Sequence, residues 1–135
     1  MSILVQLARP FPVDQLHWRK GPGGKELVYL DARQYQKRLD EVMGLDWQCR
    51  FSHASEAGVV CEVGLLIDGE WRWRSNGAGE TDIEGKKGQF SDAFKRACTM
   101  WGVGKYLYFL KDRDNIPAWA TPEGYDEILK QREAE

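Results

Sequence analysis

At 135 residues, 42% apolar and 30% charged, the chain has the make-up of one soluble globular domain, able to bury one core but not two. No apolar run approaches the roughly 20 residues of a membrane helix. The N-terminus also lacks signal-peptide order, so a cytoplasmic protein without membrane contact is expected. A net charge of −2 argues against a uniformly basic nucleic-acid binder, and three scattered cysteines argue against a disulfide framework.

Pro10 and Pro12 keep the first segment extended, and Gly21-Pro22-Gly23-Gly24 reads as a loop. After the apolar Val28-Tyr29-Leu30, Asp31 stands as a helix N-cap with Gln34 at the capping-box position. Tyr35, Leu39, Val42 and Met43 then repeat at helical spacing up to the stop at Gly44. Alternation from Trp47 to Ser52 predicts a strand burying Trp47, Cys49 and Phe51. Glu56-Ala57-Gly58 turns the chain, Val59–Ile67 reads as a central strand, and Asp68-Gly69 is a hairpin signal. Glu70 to Ser75 alternates again, with Trp71 and Trp73 at buried phases and Arg72 and Arg74 opposite them.

A second helix is read from Phe90, burying Phe90, Ala93, Phe94, Ala97, Cys98, Met100 and Trp101. Ser91, Asp92, Lys95, Arg96 and Thr99 form its polar face, and Gly102 and Gly104 end it. The apolar Tyr106–Leu110 follows, then a short charged helix opened by Thr121-Pro122. The expected fold class is α+β: an antiparallel meander of three or more strands packed against a long helix. One domain is expected over 1–135, with its core at about 8–110 and an acidic extension at 111–135.

Charge is unevenly placed. Between Lys86 and Lys105 stand five cations (Lys86, Lys87, Lys95, Arg96, Lys105) against the single anion Asp92, whereas from Asp112 onward seven acids face three bases. A local anion-binding surface is the reading, with Arg50, Arg72 and Arg74 as strand companions. Gly85-Lys86-Lys87 lacks the glycine spacing and hydroxyl of a phosphate-binding loop, so NTP hydrolysis is not expected. His17 and His53 are far apart and no cysteine pair has zinc spacing, so neither metal nor cofactor is expected. Cys49 and Cys61 read as small core residues facing each other on neighbouring strands. Asp68 with Glu70-Trp71-Arg72 faintly matches a magnesium-dependent nuclease of phage or repair origin, the alternative function, although turn chemistry accounts for Asp68-Gly69.

The run Ser91-Asp92-Ala93-Phe94-Lys95-Arg96-Ala97, continued by Trp101-Gly102-Val103-Gly104-Lys105-Tyr106-Leu107-Tyr108, closely resembles the signature helix of the Rad52/Rad22 single-strand annealing family, which has bacterial and phage members. Tyr29–Arg33, Arg38–Gly44, Trp47-Gln48, Pro10-Phe11-Pro12 and His17-Trp18-Arg19 are similar to earlier parts of the family pattern, in the same order. The resemblance implies an ATP-independent, non-enzymatic annealing protein whose subunits form a homo-oligomeric ring. Single-stranded DNA would lie in a groove between a β-hairpin region and the signature helix. By position, Lys95 and Arg96 match the pair holding the DNA backbone, while Thr99 stands where a further cation is usual. Arg33 lies beside the place of another groove arginine, which Gln34 occupies. Lys86 and Lys87 match cations of a second, outer DNA site, and Arg72, Arg74 and Lys105 complete the expected DNA-binding set. A host single-strand-binding protein is a further expected partner. Nothing after Leu110 resembles the recombinase-recruiting region of eukaryotic members.

Overall fold

The computed structural model describes residues 2–53, 58–78 and 85–134. Its elements in chain order are α1 (Ile3–Leu7), β1 (His17–Lys20), β2 (Glu26–Tyr29), α2 (Ala32–Met43), β3 (Trp47–His53), β4 (Val59–Ile67), β5 (Glu70–Ala78), α3 (Gly85–Met100) and α4 (Pro122–Ala134), with a 3-10 turn at Lys105–Phe109. β3-β4-β5 form one antiparallel sheet and β1-β2 a second, smaller one. The α+β class and the meander therefore hold. The smaller sheet is an addition: its strands pair from His17↔Tyr29 to Lys20↔Glu26, closing on the Gly21–Gly24 turn, where Gly23 and Gly24 take positive φ.

The α2 N-cap is where the sequence places it, but the capping differs. The Asp31 carbonyl accepts from Gln34 N at 3.0 Å, whereas its carboxylate turns outward to His17 Nε2 at 3.4 Å. α3 starts at Gly85, before Phe90. It lies across β4 and β5, burying Ala93, Phe94, Ala97, Cys98 and Trp101 against Val59, Cys61, Val63 and Leu65. Phe90 (44% exposed) and Met100 (47%) fall outside this contact, correcting the broader apolar stripe read from the sequence. β3 does present Trp47, Cys49 and Phe51 on the α3 side, but it is an edge strand beyond the helix. Cys49 and Phe51 are therefore exposed, and Phe51 meets Phe90 edge to face, with ring centroids 5.2 Å apart.

The phase of β5 is inverted relative to the sequence reading. Asp68 (φ 53) and Gly69 (φ 77) make a two-residue turn that pairs Ile67 with Glu70, Leu65 with Arg72 and Val63 with Arg74. Arg72 and Arg74 consequently share the α3 side with the buried valines. The Arg74 guanidinium lies 4.2 Å from the Trp101 ring centre and donates to the Met100 carbonyl at 2.7 Å, closing the C-terminal end of α3. Trp71 and Trp73 occupy the opposite, uncovered face. There Trp73 lies flat on Gly64, where a Cβ would come within 2.8 Å of the indole. Arg50 stacks above it at 4.0 Å and is itself held by Glu62 at 3.0 Å.

The N-terminal segment is fastened to α2 by one buried cation. Arg38 donates to the carbonyls of Leu7 (3.1 Å) and Arg9, with its guanidinium 4.1 Å from the Phe11 ring centre. Burial lowers its pKa from the ordinary arginine value, and the two carbonyls compensate by solvating the charge. At the other end, α4 is drawn back by Tyr125 OH donating to Val5 O at 2.8 Å and by the Arg9–Asp126 pair at 2.8 Å. Replacing Arg38 by Met keeps the aliphatic packing but orphans both carbonyls. Urea unfolding is expected to show a loss of about 2–4 kcal/mol, and a loss under about 0.5 kcal/mol would contradict this role.

Candidate nucleic-acid interface

Leu30, directly after β2, is fully buried, which plants the foot of the β1–β2 hairpin in the core beside α3. From α3, Lys95 Nζ donates to the Leu30 carbonyl at 3.1 Å. Hairpin and helix thus become the two walls of a trough. One part, of about 340 Å³, is lined by residues including Arg19, Glu26, Tyr29, Asp92, Lys95, Arg96, Thr99 and Tyr108. A second part, of about 320 Å³, runs toward the start of α3 past Asp31, Gly88 and Ser91, and it shares Arg19, Tyr29, Asp92 and Lys95 with the first.

The trough combines cations with aromatic faces. Tyr29 lines both parts of it, stacked on His17 with ring centroids 5.1 Å apart, while Arg19 and Lys95 sit 5.7 and 5.8 Å from its ring centre. Tyr108, 68% exposed and carried by the 3-10 turn, also lines the trough. Tyr35 closes the floor beneath, and burial raises its pKa, keeping the phenol neutral. Gly104, at φ 70, lets the chain pass over Tyr35, since a Cβ there would lie 2.7 Å from the ring. Lys95 commits one of its three protons to Leu30, leaving the ammonium able to meet an anion as well. Arg96 is paired along the helix with Asp92, Nε to Oδ2 at 3.2 Å, and Thr99 donates to the Arg96 carbonyl at 2.6 Å.

Of the residues singled out from the sequence, Lys95 and Arg96 meet in this trough. Lys86 and Lys87 belong to the first turn of α3, but their side chains lie outside the described residues. Arg33 is exposed on the first turn of α2, next to the trough-lining Ala32, without lining the trough itself. Arg72 faces Glu70 at 3.6 Å, and with Arg74 it borders a separate hollow near Ile3 and Leu4. Lys105 borders an apolar hollow against α4 with Phe109 and Ile128. Sequence reasoning missed Arg19 and Tyr29. The signal was present, since a glycine-rich turn flanked by His17-Trp18-Arg19-Lys20 and Glu26-Leu27-Val28-Tyr29 has hairpin form. Among the described residues no three His, Cys, Asp or Glu side chains converge as metal ligands, and no helix is long and apolar enough to cross a membrane.

Residues 2–124 match the family model described as Rad52/22 family double-strand break repair protein. Two relatives named single-stranded DNA-binding protein DdrA, from Deinococcus radiodurans and Deinococcus deserti, are 31% and 29% identical to this chain. Each alignment covers 87% of this chain, and 67% and 69% of the respective relative.

The two trough cations carried by α3 differ in structural weight. Lys95→Met is expected to cost about 1 kcal/mol by losing the Leu30 hydrogen bond, and Arg96→Met no more than about 0.5 kcal/mol, as an exposed i,i+4 pair. Urea denaturation of the two variants checks the order, and equal losses would contradict it.

Proposed function

The chain belongs to the Rad52/22 family of double-strand break repair proteins, and from that membership and the trough we propose that it binds single-stranded DNA and anneals complementary strands as a homo-oligomeric ring, without ATP and without catalysing a covalent step. The observation that carries the reading is the meeting of Arg19, Lys95 and Arg96 with Tyr29 and Tyr108 along one trough. Cations at intervals suit backbone phosphates, and partly exposed aromatic rings suit unstacked bases. The name of the DdrA relatives supports the same ligand.

In this mechanism Lys95, Arg96 and Arg19 neutralise phosphates, while Tyr29 and Tyr108 stack on base faces. Stacking uses the faces of the bases and leaves their pairing edges outward, so a second strand can be tested base by base. Pairing itself supplies the free energy, so no nucleotide hydrolysis is needed. Lys86 and Lys87 at the start of α3 would serve a second, outer strand. Asp92 tempers Arg96, which favours a grip weak enough for strands to shift register.

Ring assembly has its support in apolar surface. Phe109 (65% exposed), Trp119 (41%) and Ile128 (39%) gather around the hollow of about 450 Å³ between the 3-10 turn and α4. Phe109→Glu is expected to reduce the oligomer to smaller species in light scattering. An unchanged mass would place the subunit contact elsewhere, and a wild-type chain that is strictly monomeric at micromolar concentration would contradict the assembly.

The phosphate grip is tested by salt. Each single-strand phosphate contact contributes about 0.7 to the slope of log K against log[salt], so a Lys95→Gln, Arg96→Gln double variant should lose about 1.4 from that slope, along with most of its annealing rate. An unchanged slope in a folded variant would contradict the role of both residues.

A further inference from the structure

Cys49 and Cys61 lie on the face of the sheet that α3 crosses. Across β3 and β4 the direct partners are Cys49↔Val63 and Phe51↔Cys61, which makes the two cysteines diagonal neighbours on one face. Their thiols are near enough for each to act on the other. Their surroundings differ sharply: Cys49 is exposed on the edge strand, whereas Cys61 is 0% exposed. The neighbouring Cys61 thiol lowers the Cys49 thiol from its ordinary value, which favours the thiolate. The neighbouring Cys49, with burial, raises Cys61, and burial raises Cys98 on α3. An exposed thiolate beside a second thiol is the arrangement in which one sulfur reacts with a peroxide and the other resolves the product.

We propose that Cys49 and Cys61 form an oxidisable dithiol, a reversible modification site for hydroperoxides. The Cys49 thiolate attacks one oxygen of hydrogen peroxide. The O–O bond breaks, hydroxide leaves and takes up a proton as water, and Cys49 becomes a sulfenic acid. Cys61 then gives up its proton and attacks the Cys49 sulfur. The S–O bond breaks, and the departing hydroxide combines with that proton as a second water. Two thiols have lost two electrons to one peroxide, and a disulfide joins β3 to β4.

Diagonal neighbours stand about 7–8 Å apart, more than the roughly 4.4–6.8 Å that a disulfide spans between α-carbons. The bond therefore forms by drawing the edge strand β3 inward, and the strain makes it easy for small thiols to reduce. The strand that moves carries Trp47 and Phe51, whose rings rest near Phe94 and Phe90 of α3. This site stands independently of the DNA-binding reading.

The test uses the whole chain, treated with a few molar equivalents of hydrogen peroxide, then denatured, titrated for thiols and mapped by mass spectrometry. Free thiols are expected to fall from three to one per chain. The mass should drop by two hydrogens, a Cys49–Cys61 peptide should appear, and dithiothreitol should restore all three thiols. In Cys61→Ser the reaction should stop at a Cys49 sulfenic acid that dimedone traps. In Cys49→Ser, a change at an exposed position that spares the core, Cys61 and Cys98 should both stay reduced. Cys49 accumulating as sulfinic acid beside a free Cys61, a Cys49–Cys49 link between chains, or no thiol loss would overturn the proposal.

Discussion

The hydrogen bond from Lys95 to the Leu30 carbonyl, above the buried Leu30 side chain, fixes the one distance on which the candidate interface depends. A two-stranded hairpin is marginal by itself, and β1–β2 exposes most of its residues. It holds its place because Leu30, directly after β2, enters the core and Lys95 of α3 grips its carbonyl. The trough is therefore a consequence of tertiary docking. The residue that docks the hairpin also presents charge to the trough, which ties the integrity of the site to its ligand chemistry.

The remaining structure braces this junction. Arg38 holds the N-terminal segment to α2, and Arg74 with Trp101 closes the end of α3, where Trp101 Nε1 also donates to the Val63 carbonyl at 2.9 Å. Three of the cations that look interchangeable in the sequence thus do different work. Arg38 is buried structure, Arg74 is a helix-end brace, and Arg96 is an exposed charge paired along its own helix. A net charge of −2 hides this division, because what a strand of DNA would meet is the local lining of the trough.

Much of the architecture was legible in the residues. The helical spacing from Tyr35 to Met43, the alternation from Trp47, the Asp68-Gly69 turn and the Thr121-Pro122 start each mark an element that is present. The face of β5 was misread because Trp71 and Trp73 look more apolar than Arg72 and Arg74. The turn held the answer: a two-residue connection pairs residue 67 with 70, and so places Arg72 and Arg74 opposite Leu65 and Val63. Phe90 and Met100 were misplaced for a different reason, since helical phase cannot say how wide a sheet the helix will cover. Lys95 and Arg96 were found from the signature helix. Their partners Arg19 and Tyr29 became visible only once the hairpin stood against α3.

The central claim, that single-stranded DNA lies between the β1–β2 hairpin and α3, is tested most directly by photo-crosslinking. Bromodeoxyuridine-substituted single strands would be irradiated on the whole protein and the linked peptides mapped. Crosslinks at Tyr29 or Tyr108 are the result expected. Crosslinks confined to Trp71 and Trp73, on the uncovered face of the sheet, would contradict the account.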